Sequence, residues 1–76
     1  MNKQRRDRLR EAIKQLRNAS TIVDEVCNKE EDSLDNIPEN LQTSERFEKM
    51  ENAVDNLNEA IERIDEAREL VEMALV

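Results

Sequence analysis

The sequence predicts an all-α fold: a two-helix antiparallel hairpin that assembles as a homodimeric four-helix bundle. Three observations carry that reading. The chain of 76 residues contains no glycine, and its aromatic content is Phe47 alone. Strands and their tight turns draw on those missing residue types. Two long apolar series recur at helical spacing, and the single proline, Pro38, falls between them. Charged residues make up 41% of the chain, a density at which disorder is the rival state. The regular apolar spacing argues against disorder.

The first element is a helix over about residues 3–33. Leu9, Ala12, Ile13, Leu16, Ala19, Val23, Val26 and Cys27 form one stripe, with Ile22 widening its edge. The β-branched residues at 22, 23 and 26 lower helix propensity slightly, and the 3.6-residue spacing outweighs them. Next comes a corner over about 34–43. Pro38 lacks an N–H and disfavours helical geometry at Ile37, so the first helix stops and a new turn forms at 38–41. Leu34, Ile37 and Leu41 are placed to close the end of the hairpin against Phe47. Thr43 or Ser44 caps the second helix, and Glu45 lies favourably against its dipole.

The second helix, about 44–75, has the strongest pattern. Phe47, Met50, Val54, Leu57, Ile61, Ile64, Val71 and Leu75 follow alternating steps of three and four, a seam that only Arg68 breaks. Ala53, Ala60, Ala67 and Ala74 recur every seven residues beside it, a column that lets a neighbouring helix approach closely. The whole chain, 1–76, reads as one helical-hairpin domain. A lone hairpin covers only part of these stripes, and ordering a chain this short costs about as much as its burial returns. A second copy would cover the surplus; a groove on another protein is the competing explanation.

Charge is unevenly spread. Residues 1–17 carry a net +5 and residues 18–76 a net −12. In an antiparallel hairpin the basic start and the acidic end lie side by side, and their opposite signs favour that pairing.

The composition excludes most catalysis. Histidine is absent, which removes triads and bundle-type Glu-x-x-His metal sites. Cys27 sits on the apolar stripe and reads as a small core residue rather than a nucleophile. The cluster Glu30, Glu31, Asp32, Asp35 and Glu39 lacks the glycine and ligand alternation of an EF-hand loop, so it reads as a solvated corner. No glycine-rich phosphate loop exists. No catalytic, cofactor-binding or metal site is expected, and the chain is read as not an enzyme. A single cysteine cannot form an intrachain disulfide, and no apolar run follows the basic start or approaches the ~20 residues of a membrane span. The expected location is the cytoplasm.

Two charged ridges remain as candidate contact surfaces. Lys3, Arg6, Arg10, Lys14 and Arg17 share one face of the first helix, suited to phosphates or an acidic partner. No aromatics accompany them to stack on bases. Glu48, Glu51, Asp55, Glu59, Glu62, Glu66 and Glu69 form an acidic ridge on the second helix, opposite its seam. Such a ridge is either a solvated face or a row that imitates a phosphate backbone.

The stretch "DNIPENLQTSERFEKMENAVDNLNEAIERIDEA" resembles a family of small uncharacterised helical-hairpin proteins encoded by phages and mobile elements of Gram-positive gut bacteria. The shared feature is an Asn-x-Pro-Glu-x-Leu-Gln-x-Ser-Glu-Arg corner, here Asn36 to Arg46, followed by an acidic helix reaching about Ala67. The resemblance implies a helical hairpin of phage or mobile-element origin. Genes of that kind often encode adaptors or inhibitors of host proteins. Three functional expectations follow: a protein-binding module that modulates a host protein, a nucleic-acid-associated factor using the basic ridge, or a structural assembly module.

Overall fold

The computed structural model describes residues 1–75 and is a hairpin of two helices. Helix α1 spans Lys3–Asp35, a 3₁₀ turn spans Glu39–Leu41, and helix α2 spans Glu45–Ala74. The molecule is a rod whose principal extents are 60 × 15 × 13 Å. Val76, included in the single-domain reading of 1–76, lies outside the described residues.

Each helix begins on a side-chain cap. Asn2 accepts a hydrogen bond from the Arg5 N–H at 2.8 Å, and Ser44, in an extended conformation, accepts from the Phe47 N–H at 3.1 Å. Ser44 therefore fills the cap role left open between Thr43 and Ser44, and Glu45 and Glu48 fall in the first turn of α2. Helix α1 runs two residues past the expected position 33, to Asp35. The steric demand of Pro38 falls on Ile37, so the helix survives up to Asn36, whose N–H still reaches the Asp32 carbonyl at 3.2 Å. The chain then reverses through Leu41 N–H to Pro38 C=O at 2.9 Å and Ser44 N–H to Leu41 C=O at 3.2 Å. No described residue has a positive φ, which is how a chain without glycine turns back on itself.

The two helices meet along their apolar seams. In seven-residue lettering, α2 places Phe47, Val54, Ile61, Arg68 and Leu75 at a, and Met50, Leu57, Ile64 and Val71 at d. Helix α1 answers with Ile13, Ser20, Cys27 and Leu34 at a, and Leu9, Leu16, Val23 and Glu30 at d. Only Ile13, Cys27 and Val54 are buried among the described residues, and of these Cys27 alone is fully so. The remaining apolar seam residues are half-buried, as two helices in contact can cover no more than one side of each other.

Four expectations change. The alanine column does not pack within the hairpin: Ala60 is half-buried, while Ala53, Ala67 and Ala74 are exposed. Their g positions lie to the side of the contact. Val26, counted in the α1 stripe, is 45% exposed for the same reason, and Leu41 at the corner is 50% exposed because the 3₁₀ turn carries it outward. The basic start meets the acidic end only at its last turn, through Arg17. With Arg17 level with Glu72, and Glu31 level with Asn58, about the first ten residues project beyond the described part of α2. Arg17–Glu72, at 3.0 Å, is the one salt bridge between the helices among the described residues.

Candidate interaction surfaces

Antiparallel pairing brings the e positions of both helices to one side of the hairpin and the g positions to the other. The e side is polar and cross-linked. Arg17 and Arg68 both donate to Glu72, at 3.0 and 3.1 Å. Ser20 donates to Asp65 at 3.0 Å, and Asn58 donates to Glu31 at 3.3 Å. The sequence reading missed this network, although its trace is present: Arg17, Asp24 and Glu31 are spaced by sevens, and so are Asn58, Asp65 and Glu72. Arg68, which interrupts the apolar seam, is only 21% exposed at its side chain. Its guanidinium leaves the seam toward Glu72, so the stem packs while the charge is paired.

Cys27 is 1% exposed and its thiol lies 3.6 Å from Glu31 Oε1 and 3.5 Å from Asn58 Oδ1. Burial first, then the hydrogen bond and charge of Glu31 and the charge of Asp24, hold its pKa above the ordinary thiol value. The thiolate is thus disfavoured in the folded chain. Iodoacetamide at pH 8.5 should modify Cys27 far more slowly in the native protein than in urea. Because the folded pKa is raised, the associated stability is complete below the unfolded thiol's pKa and is lost as pH climbs through the folded value. A chemical-denaturation series from pH 7 to 11 checks that sign against Cys27→Ala.

Glu31 is therefore turned into the hairpin rather than toward the acidic corner. Among the described residues, no group of three His, Cys, Asp or Glu side chains is placed to hold a metal ion. A shallow groove of about 540 Å³ opens at the corner beside Ile37, Pro38, Leu41, Phe47 and Met50. Among the described residues, no helix is long and apolar enough to cross a membrane.

The structure separates the two charged ridges. The basic set shares one flank, but three of its five members are engaged. Arg6 donates to the Met1 carbonyl, Arg10 pairs with Asp7 at 3.1 Å, and Arg17 holds Glu72. Lys3 and Lys14 make no ion pair among the described residues. All seven acidic-ridge residues are exposed, over about 32 Å of α2. Arg63 bridges Glu59 and Glu66 at 3.4 and 3.1 Å. Its guanidinium is held above its already high ordinary pKa by the hydrogen bond and charge of Glu66, then by those of Glu59. Glu48, Glu51, Asp55, Glu62 and Glu69 make no ion pair among the described residues. No protein-family model, curated protein or solved structure matches the chain.

Proposed function

We propose that this chain is a non-catalytic protein-interaction module. In its specific form it is a phage or mobile-element accessory protein that self-associates in the cytoplasm and binds, and so modulates, a basic surface on a host protein. The observation that carries the reading is the acidic ridge. Five carboxylates with no ion pair among the described residues stand on one face of α2, in a row too long for a small-molecule site and well suited to a row of Lys or Arg. The corner at Asn36 to Arg46 supports the origin, through the family it resembles.

The test is capture from a bacterial lysate by the native protein and by a variant carrying Glu48→Gln, Glu51→Gln, Asp55→Asn, Glu62→Gln and Glu69→Gln. The expected result is a partner retained at low salt, released at about 0.5 M salt, where the Debye length falls to a few ångströms, and absent from the variant. An identical set of partners for both proteins defeats the reading.

A second reading, a nucleic-acid-associated factor, is favoured by one observation: about the first ten residues of the basic start project beyond the described part of α2. The engagement of Arg6, Arg10 and Arg17 within the chain weighs against it. Fluorescence anisotropy with DNA and RNA at low salt decides, since phosphate binding must weaken steeply as salt rises. A purely structural assembly module is what remains if neither partner class binds.

A further inference from the structure

The g side of the hairpin differs from every other surface of this molecule. Ala12 lies level with Ala74, Ala19 with Ala67, Val26 with Ala60, and Ser33 with Ala53, to within a residue by the register that sets Ser20 beside Asp65 and Cys27 beside Asn58. Between them these two columns hold no charge, in a chain where 41% of residues are charged. Charge returns only at their ends, at Arg5 and Arg46. Exposed Ile22, at 60%, and Leu70, at 65%, stand at the outer edges. Apolar residues at a and d alone make a two-helix seam; adding g on both helices makes the wider face of a helix that packs into a bundle.

We infer that this face is covered by a second copy of the same chain, related by a two-fold axis along the rod, so that α1 of each copy lies on α2 of the other and both corners are at the same end. The inference rests on the self-association included in the proposed function and assigns its surface. Area is one argument. Two helices abreast are about 20 Å wide, and the uncharged stretch is about 32 Å long, which gives about 600 Å² per copy and about 1,200 Å² in total. That reaches the lower end of the range for specific interfaces. Apart from Val26, only small side chains line the columns, so the two layers can approach closely enough to cover the half-buried d residues Leu16, Val23, Leu57 and Ile64.

Charge at the rim chooses the orientation. On the outer edge of α1, Glu25 is followed by Lys29. Within about 3 Å of the matching heights on α2 stand Arg63 and then Glu59, which also pair with each other. The two-fold axis along the rod places Glu25 of one copy opposite Arg63 of the other, and Lys29 opposite Glu59. Both rim pairs are then of opposite sign, twice over by symmetry.

Sedimentation equilibrium tests the surface. The native protein should give about 18 kDa, twice the 8.9 kDa chain. Ala19→Glu and Ala67→Glu should each lose the dimer, whereas Asn28→Glu, which adds the same charge on the opposite flank, should keep it. Should the first two variants also lose helix, the rim supplies an independent check. Glu25→Arg should weaken association by about tenfold, and adding Arg63→Glu should restore most of it. A native chain that stays at 8.9 kDa at 100 µM overturns both self-association and this surface. A dimer that survives Ala19→Glu and Ala67→Glu overturns the surface alone. A double rim variant no better than the single one overturns the orientation. Loss of the lysate partner in the acidic-ridge variant, with the dimer intact, is read separately from all of these.

Discussion

Val54→Asp should abolish the folded hairpin at 25 °C, with the far-UV helical signal lost and no cooperative thermal transition left. Val54 is 7% exposed, at the centre of the rod, and its carbonyl is the one the Cys27 thiol faces from across the seam. Only three apolar side chains are buried among the described residues, so no reserve of packing exists to absorb a charge there. A small domain of this length is stable by about 4–11 kcal/mol. Burying an unpaired carboxylate costs several kcal/mol on top of the lost apolar burial, and the acidic neighbours Glu51, Asp55 and Glu31 supply no counter-charge. The graded control is Val54→Ala, which removes two methyl groups and leaves a cavity. It should cost about 2 kcal/mol and keep the fold. A Val54→Asp chain that still melts cooperatively near the native temperature would mean the seam is not the core.

Arg68→Leu should act in the opposite direction, stabilising the chain by about 1–2 kcal/mol and raising Tm by roughly 4–8 °C for each kcal/mol. Arg68 holds an a position, where its neighbours in the column are Ile61 and Leu75. Its pair with Glu72, at 3.1 Å, is partly solvated, and such pairs contribute little beyond the cost of desolvating them. Leucine would extend the apolar seam, and Glu72 would keep Arg17 as its partner. The penalty is register. A polar residue at one a position penalises sliding of the helices by a full repeat. The variant should therefore melt higher yet show a broader distribution of association states by sedimentation. A drop in Tm would show that the Arg17–Glu72–Arg68 cluster contributes more than the packing it displaces.

The helices, the cap of α2 and the corner were legible because each rests on local physics, whereas the Asn2 cap of α1 was not read from the sequence. Pro38 restricts the residue before it wherever it occurs, Ser44 caps because its oxygen reaches the Phe47 N–H three residues on, and the three-and-four spacing from Phe47 to Leu75 marks a buried stripe without reference to a partner. The all-α class followed from the lack of glycine and aromatics. Neither the end of α1 at Asp35 nor the exposure of Leu41 was legible in the same way, since both depend on how the corner settles once two helices are in contact.

What the candidate surfaces do was less legible, and for one reason. A seven-residue repeat shows that Ala53, Ala60, Ala67 and Ala74 share a side of α2, and that the seven acids share another. It does not state which column of α1 lies beside which column of α2. The antiparallel pairing decides that. It sets Arg17, Ser20 and Glu31 against Glu72, Asp65 and Asn58, and so turns the alanines of α2 toward those of α1 on the opposite side. It also offsets the helices lengthwise, which leaves about the first ten residues of the basic start beyond the acidic end and only Arg17 paired with it. The sequence alone determined two amphipathic helices and a proline corner, because those are set by neighbours three and four residues apart. The tertiary structure alone decided which faces stand together, because register and offset arise only when residues some 30 to 55 positions apart meet across the seam.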